Sequence, residues 1–385
     1  MKKNAWISIF LIILFFSNFT FISIVTSDGA ITRTYLYNSK IVYINQGETN
    51  LSLEDNSHFF NVFMNTSWMN TSWQTVYLLR VNKPYVWSSD DDGNPLISVN
   101  VSSIPSGENV TLTISMQIVK QEREPPNINL LDSQNRKDIP SELKEDYCQT
   151  EGSWLVDDEM LRSLANDIWV SEGESENVLK IVTDLADWIG HNIDPVTHDV
   201  PLYPNETCIL KEGDCDDQAN LLITLSRILG IPAYLQLGAI RKSGKDEGTD
   251  WDGHIKYSLI NIGYHGWAMI YIPPWGWLPF DMTLAWKENS LEGITSAPIW
   301  NLDAITTGDI VKSDWAGDGK RQKEELINGQ LYLHHEDELI TQDGNNLWVT
   351  FLIMWPYWVF LIIVTFIVMF FLNARRKGRN LSLPS

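Results

Sequence analysis

The segment from Gly213 to Pro232, GDCDDQANLLITLSRILGIP, constrains the fold of this chain more than any other stretch. Its apolar residues recur at helical spacing and form a broad face, which predicts a helix buried against other elements. The acidic residues at its start are typical of a helix N-terminus, and Gly230 and Pro232 end the pattern. The chain therefore has to place a core helix that starts at or beside Cys215, and other segments must cover that helix.

Helical patterns precede this helix, and strand patterns follow it. Residues 157–170 and 176–193 carry apolar positions at helical spacing with acidic residues near their starts, which predicts two further helices. The runs 233–240, 264–272 and 276–284 predict strands, and the sequence PPWG between the last two predicts an antiparallel hairpin. The pattern from about residue 155 onward thus differs from that of the preceding chain.

The earlier part of the chain, residues 28–122, reads as β-structure. Short runs rich in β-branched and aromatic residues alternate with Gly, Asn, Pro and Ser, which predicts a β-sandwich domain. The acidic stretch at 88–95 predicts a hairpin turn, with calcium binding as the alternative. Paired prolines and a charge cluster at 121–127 predict a linker, and we place the next domain at 123–310.

Cys215 lies among Asp214, Asp216 and Asp217 at the predicted start of the core helix. The unpaired N–H groups of a helix N-terminus favour the thiolate, whereas the neighbouring carboxylates raise the pKa of the thiol. A cysteine in this setting becomes a strong nucleophile only if an imidazole is positioned beside it.

His265 is the candidate imidazole, and Asp281 is the candidate residue that orients it. Both lie in the predicted hairpin, 16 positions apart (281 − 265), with Pro273 at the midpoint. Folding the hairpin about Pro273 places the two side chains roughly across from each other on one face, provided that the loop has an odd number of residues or contains a bulge. The sequence thus predicts a triad of Cys215, His265 and Asp281.

In this order, and on these elements, the motifs resemble the transglutaminase-like superfamily. The matching residues are Gly213, Cys215, Asp217, Leu229, Gly230, Ile231, Pro232, His265, Trp267, Gly276, Trp277 and Asp281. The resemblance covers roughly residues 155–290 and implies a papain-like α+β fold. It also implies that Cys215 is the nucleophile, His265 the base and acid, and Asp281 the orienting group. One departure is Met269, where many members carry an acidic residue.

The resemblance implies an enzyme that transfers acyl groups through a thioester, with a protein or peptide as its substrate. Hydrolysis of amide bonds is the preferred reaction, because no feature marks a site for a lysine acceptor. A cross-linking transglutaminase, a non-catalytic surface module and a glycan-binding protein are the alternatives. The second hydrogen-bond donor to the oxyanion is unassigned, with Trp188 and Tyr203 as the two candidates. His191, His198 and His254 are interpreted as loop histidines.

The two ends of the chain predict a membrane topology. Residues 1–27 have two lysines before an apolar run, which is typical of a signal peptide or an uncleaved signal anchor. Residues 347–372 carry no charge and predict a transmembrane helix, and the basic segment 373–385 predicts a cytoplasmic tail. Residues 28–346 are then outside a cell membrane that the chain crosses once, with 311–346 as an acidic juxtamembrane stalk. Sequons in this predicted outer part begin at Asn50, Asn65, Asn70, Asn100, Asn109 and Asn205.

The predicted fold class is therefore α+β, with a papain-like transglutaminase core, a preceding β-sandwich and a C-terminal transmembrane helix. The formal net charge of −21 argues against a nucleic-acid partner, since phosphate binding needs a basic face. The three cysteines are an odd number, so one thiol stays unpaired within the chain. A bond between Cys148 and Cys208 would leave Cys215 free.

Calcium is the single cofactor for which the sequence gives a signal. Residues 314–325, DWAGDGKRQKEE, have Asp314, Asp318 and Glu325 at ligand positions of a calcium loop. Ala316 occupies a position where an oxygen ligand is expected, so an acidic stalk is the preferred interpretation of this segment.

Overall fold

The computed structural model of the chain describes residues 31–52, 65–285 and 289–342. Its strands are β1 (Thr32–Asn45), β2 (Leu51–Ser52), β3 (Asn65–Ser67), β4 (Gln74–Val81), β5 (Tyr85–Ser89), β6 (Pro95–Val99), β7 (Ser103–Ile104), β8 (Asn109–Gln121), β9 (Ala233–Ile240), β10 (Lys245–Asp250), β11 (Ile255–Ile260), β12 (Gly263–Ile272), β13 (Gly276–Phe280), β14 (Ala304–Ile310) and β15 (Leu331–Gln342). Its α-helices are α1 (Ser141–Tyr147), α2 (Glu159–Ser171), α3 (Val178–Asn192), α4 (Pro204–Leu210), α5 (Cys215–Ile228), α6 (Ser290–Thr295) and α7 (Trp315–Asn328). Together these elements form a mixed α/β fold.

The helices begin where the sequence supplies capping side chains. Asp158 accepts a hydrogen bond from the N–H of Leu161 at the start of α2, and Asn177 accepts one from the N–H of Lys180 at the start of α3. Helix α5 is buried along most of its length because α2, α3, β9 and β12 all pack against it. The predicted core helix is therefore confirmed, and it begins at Cys215.

A four-stranded antiparallel sheet, in the order β13-β12-β9-β14, carries the predicted triad strands. Strand β12 is paired on both sides, whereas β13 and β14 are the edges of this sheet. One apolar cluster joins the sheet to α2, α3 and α5, and it includes Leu185, Leu222, Leu235 and Ile270. Because a close-packed core resists displacement, this layer fixes the start of α5 against β12.

A six-stranded sheet, in the order β10-β11-β15-β1-β8-β4, contains most of the N-terminal region. Its neighbouring strands are antiparallel except β11 and β15, which are parallel. Side chains of β1 alternate in burial, and Tyr35, Tyr37 and Tyr43 face a second apolar cluster. The β-structure expected in this region is thus present, with strands added from far along the chain.

These added strands make the architecture differ from the predicted division into domains. Residues 245–260 fall in the domain placed at 123–310, yet they form β10 and β11 of the six-stranded sheet. Residues 311–346 were expected to form a stalk, but they include α7 and β15, and β15 pairs with β1 over 12 residues. Leu331, Leu333 and Leu339 of β15 are buried, and the acidic residues between them hide this alternation in the sequence.

The structure contradicts two predictions, that of a C-terminal transmembrane helix and that of a single-pass location in a cell membrane. In the ranges that the structure describes, no helix is both long and apolar enough to cross a membrane. The longest α-helix there, α3, has 15 residues, fewer than the roughly 20 that the hydrocarbon core requires. The segments 1–27 and 347–372, on which the topology prediction depended, lie outside the described residues.

Candidate active site

The first turn of α5 is held by buried polar contacts on both sides of Cys215. The backbone N–H of Asp214 donates to Oδ2 of Asp217 at 3.2 Å, and Oδ1 of Asp217 accepts from the N–H of Leu202 at 2.7 Å. The Gln218 side chain donates to the carbonyl of Gly213 at 2.9 Å. These bonds fix the backbone that carries the thiol, so Asp217 is a structural part of the turn.

The hairpin of β12 and β13 brings His265 and Asp281 together. The strands are joined by the three residues 273–275, and this odd-numbered loop places both side chains on the same face of the sheet. Pairing of Ala268 with Phe280 puts Asp281 opposite Trp267, so Asp281 reaches His265 along a diagonal and not directly across. Nε2 of His265 lies 2.6 Å from Oδ2 of Asp281, and their side chains are 6% and 1% exposed.

The Asp281 carboxylate is held as an anion. Its second oxygen, Oδ1, accepts hydrogen bonds from the N–H groups of Thr283 at 2.9 Å and Leu284 at 2.8 Å. Burial acts to raise the pKa of Asp281, but the hydrogen bond and charge of His265 and the two N–H groups outweigh it and lower the pKa. Because Asp281 occupies Nε2 of the imidazole, Nδ1 is the ring nitrogen left for a thiol.

Helix α5 approaches β12 at Gly266, the residue after His265. A Cβ on Gly266 would lie 3.1 Å from Cβ of Asp216, which is tight for such a contact, so a glycine here lets the first turn of α5 lie against the strand. The N–H of Gly266 lies within hydrogen-bonding reach of the Cys215 thiol and favours its thiolate. The structure therefore places Cys215 beside the strand position that carries the imidazole.

The surroundings of Cys215 favour the protonated thiol. Burial raises the pKa of Cys215 well above its ordinary value, and the charges of Asp216 and Asp214 add to the shift. The Cys215 thiol donates to Oδ1 of Asp216 at 3.8 Å. Burial, together with a hydrogen bond to Asp216, raises the pKa of Asp214 to about 9. Of these two carboxyl groups, Asp216 has the larger effect on the pKa of the thiol.

Trp315 is a residue of the site that the sequence did not indicate. It is the first residue of α7, within the segment expected to be a stalk, and its Nε1 donates to Oδ2 of Asp216 at 2.5 Å. This bond holds the carboxylate beside the thiol. A tryptophan after a helix-capping aspartate gives no local signal of such a contact, because the two residues are 99 positions apart.

Replacing Asp216 with asparagine is expected to make Cys215 more reactive towards iodoacetamide at pH 7. The change removes a negative charge beside the thiol but keeps an oxygen that accepts from Trp315. The thiol pKa should fall by about one, which raises the thiolate population and the alkylation rate about 10-fold. The measurement is the rate of Cys215 modification across pH by peptide mass spectrometry. Glu212→Gln removes a charge three positions before Cys215 and should leave the rate unchanged; equal effects of both variants would contradict the prediction.

The two residues considered as second oxyanion donors have other contacts. The Tyr203 hydroxyl donates to Oδ2 of Asp314 at 2.9 Å. Burial is the main cause that raises the pKa of Tyr203 to about 12, and the Asp314 carboxylate is the second. Trp188 packs against the apolar cluster of the helical layer. The backbone N–H of Cys215 belongs to the first turn of α5, where N–H groups lack a partner within the helix. It stays the one group assigned as a donor to the oxyanion.

The residues considered as a calcium loop do not converge. Residues 315–328 form α7, so Asp314 and Glu325 lie near opposite ends of a helix, about 16 Å apart at 1.5 Å per residue. Asp314 caps this helix by accepting from the N–H of Gly317, and Asp318 pairs with Arg321.

The acidic turn at 88–95 is also tied to backbone groups. Oδ1 of Asp92 accepts from the N–H groups of Val311, Lys312 and Ser313 at 2.6 to 3.3 Å. The hairpin-turn interpretation of this stretch is confirmed by the strands β5 and β6 on either side of it.

All three cysteines are free thiols in the structure, so the suggested bond between Cys148 and Cys208 is absent. In the described part of the chain, the group of potential metal ligands found within 4.8 Å of one another is Asp214, Cys215 and Asp216. It coincides with the candidate nucleophile and adds no separate centre.

Comparison with known proteins identifies two matching family models. The model of the transglutaminase-like superfamily matches residues 162–282, and a model described as CDR ABC transporter matches residues 316–383. The described part of the second match is α7 and β15, which complete the fold and show nothing specific to transport. Among curated proteins, the uncharacterized protein YebA of Bacillus subtilis strain 168 is 28% identical over 118 residues. The match covers 29% of this chain and only 16% of YebA.

Three solved structures show distant similarity. A candidate cysteine protease from Cytophaga hutchinsonii has a TM-score of 0.49 and 16% identity, covering 82% of this chain and 92% of that one. The periplasmic domain of TgpA from Pseudomonas aeruginosa, bound to ethylmercury, has a TM-score of 0.30 and 12% identity, covering 66% and 91%. A candidate protease from Parabacteroides distasonis has a TM-score of 0.26 and 11% identity, covering 73% and 68%.

These structural similarities are too low to carry an argument about function. The superfamily match is independent of them, and it spans Cys215, His265 and Asp281. It confirms the resemblance on which the sequence prediction was based. Residues 162–282 of this chain therefore belong to the transglutaminase-like superfamily.

Proposed function

We propose that this chain is a cysteine acyl-transfer enzyme that hydrolyses amide bonds in proteins or peptides, with Cys215 as its nucleophile. The observation that carries the proposal is the buried pair of His265 and Asp281, 2.6 Å apart, in which His265 belongs to β12, the strand against which the first turn of α5 lies. A hydrogen-bonded pair of this kind orients an imidazole so that its second nitrogen can accept a thiol proton.

Acylation begins when Sγ of Cys215 attacks the carbonyl carbon of the substrate amide. A C–S bond forms, and Nδ1 of His265 takes the thiol proton in the same step. The backbone N–H of Cys215 donates to the oxygen that becomes negative. As the C–N bond breaks, His265 gives its proton to the leaving amine, and a thioester remains on Cys215.

The thioester is then resolved by water. His265 accepts a proton from the water molecule, whose oxygen attacks the thioester carbon, and the C–S bond breaks. The carboxylic acid leaves, and the proton returns from His265 to Sγ. An amine in place of water would form a new amide, which is the cross-linking alternative.

The protonation of the site supports general-base activation of the thiol. Burial and the charge of Asp216 raise the pKa of Cys215, which favours a neutral thiol that has to lose its proton as it attacks. The lowered pKa of Asp281 keeps that residue anionic, so it stabilises the imidazolium formed when His265 takes the proton.

Alkylation and turnover of the full chain test this proposal. Iodoacetamide modification of each cysteine is followed by peptide mass spectrometry in the wild type and in His265→Ala. Modification of Cys215 should fall about 10²-fold or more without His265, consistent with the usual size of base catalysis, while Cys148 and Cys208 react as before. Slow modification of Cys215 that is indifferent to His265 would contradict the proposal.

Fluorescein-labelled casein, with and without dansylcadaverine, separates the two fates of the thioester. Release of small labelled peptides that requires Cys215 supports hydrolysis. Attachment of dansylcadaverine to casein without such release would instead establish the transferase reaction, and Cys215→Ala is the control for both signals.

A further inference from the structure

Two amide side chains from the N-terminal region bind the free edge of the triad sheet. Gln74 donates to the carbonyl of Thr306 at 2.7 Å and accepts from its N–H at 2.9 Å. Asn94 does the same at Asp309, donating to the carbonyl at 2.6 Å and accepting from the N–H at 2.7 Å. Each amide satisfies both backbone groups of one β14 residue, as a neighbouring strand would.

The second of these contacts continues towards the candidate active site through side-chain hydrogen bonds. The side chain of Asp309 points across to its strand partner Gln236 on β9, and Nε2 of Gln236 donates to Oδ1 of Asp309 at 2.6 Å. Oε1 of Gln236 in turn accepts from Nε1 of Trp267 at 3.2 Å. Because an indole only donates and a carboxylate only accepts, these two partners fix the orientation of the Gln236 amide.

Trp267 connects this pair of bonds to the imidazole. It lies two positions after His265 on the same face of β12, and the ring centroids are 5.9 Å apart at an interplanar angle of 40°. Both Trp267 and Gln236 are buried, at 1% and 4% exposure. Without its acceptor the indole N–H would be buried and unpaired, which is unfavourable and favours rotation of the ring away from this position.

We propose that Gln236 and Asp309 are positioning residues for His265, acting through Trp267, and that Asn94 fixes Asp309 from the N-terminal region. The proposal rests on the proposed function only for the chemical role of His265. Neither Gln236 nor Asp309 is among the matched motif residues, and Asp309 and Asn94 lie outside residues 162–282. The N-terminal β-structure is thus part of the catalytic unit.

The charge on Asp309 agrees with its role as an acceptor. Burial raises the pKa of Asp309 to about 6, the hydrogen bond from Gln236 acts to lower it, and the charges of Asp92 and Asp90 add to the increase. The carboxyl is therefore ionised at neutral pH and accepts from Gln236.

Substitutions on the two edge contacts test the proposal in the full chain. Gln236→Leu removes both side-chain bonds at similar volume, and Asp309→Leu removes the acceptor, whereas Asp309→Asn keeps an acceptor oxygen. Gln74→Leu is the matched control, since it breaks the same kind of edge contact at Thr306 with no link to Gln236. Two readouts are used: the rate of Cys215 alkylation, and the proton NMR resonance of the His265 N–H bonded to Asp281.

Gln236→Leu and Asp309→Leu should slow the alkylation about 10-fold and shift or broaden the His265 resonance, as expected for a displaced catalytic ring. Asp309→Asn and Gln74→Leu should keep the wild-type rate and resonance. If Gln74→Leu has the same effect as Gln236→Leu, the cause is general loosening of the sheet edge, and the proposal is overturned.

The resonance separates this proposal from the proposed function. If wild-type alkylation does not depend on His265, the proposed function fails, and an unshifted resonance in Gln236→Leu would still overturn the positioning role. Thermal unfolding shows whether Gln236→Leu is folded. If it is not, the proposal is tested by Asp309→Leu and Asp309→Asn: equal alkylation rates and resonances in these two variants would overturn it.

Discussion

Asp281→Asn is expected to reduce casein hydrolysis by about 10³- to 10⁴-fold while leaving the fold intact, as in other triads that lose the carboxylate. The neutral amide cannot stabilise the imidazolium that forms when His265 accepts the thiol proton. Its Nδ2 would also donate to Nε2 of His265, which forces the proton onto Nδ1, the nitrogen that has to receive it from Cys215. The Asn oxygen can still accept from Thr283 and Leu284, so the turn after β13 should persist.

The chain offers a matched control for this substitution. Asp337 is also buried, its Oδ2 lies 2.8 Å from Nε2 of His335 in the six-stranded sheet, and the same oxygen accepts from the Tyr264 hydroxyl. Asp337→Asn thus alters the same kind of pair away from Cys215, and it should retain wild-type turnover. Rates are measured on samples with equal helix content by circular dichroism. A comparable loss in both variants would show that Asp281 acts through stability and not through His265.

The sequence predicted the elements of the candidate site because their signals are local. The acidic residues before α5 and Gly230 and Pro232 after it lie within a few positions of the helix ends. The relation of His265 to Asp281 depended only on the parity of the hairpin loop, and residues 273–275 satisfy it. The strand register differs by two positions from a hairpin folded about Pro273, because the turn is centred on Pro274.

The rest of the architecture depends on pairing between distant segments. Strand β15 joins β1 across about 300 positions of chain, and no local pattern specifies such a partner. Its central residues, HHEDE, read as a solvated segment because the six-stranded sheet buries only alternate positions. The contacts of Trp315 with Asp216, and of Asn94 with Asp309, also join residues that are far apart along the chain. No local pattern in the sequence indicates them.

Gly238→Ala is expected to destabilise the protein by about 3 kcal/mol and to reduce Cys215 reactivity, since overpacking a core has costs of this size. Gly238 lies on β9 directly opposite His265. A Cβ there would lie 2.3 Å from Cη2 of Trp267 and 2.7 Å from the carbonyl oxygen of Ile305. The first neighbour is a buried ring bonded to Gln236 and the second is backbone of β14, so neither yields without breaking hydrogen bonds. The measurements are the free energy of unfolding in urea and the alkylation rate.

Gly263→Ala is the matched control, because Gly263 begins β12 in the same pair of strands, and a Cβ there meets only Cδ of Lys242, at 3.8 Å. It should change the free energy of unfolding by less than about 1 kcal/mol, since alanine fits a strand with open space beside it. Equal destabilisation by the two substitutions would contradict the packing argument. A stable Gly238→Ala protein with unchanged alkylation would show that Trp267 can move without disturbing His265. A loss of stability and of Cys215 alkylation in Gly238→Ala, but not in Gly263→Ala, would instead establish that close packing around Trp267 helps to hold the imidazole in place.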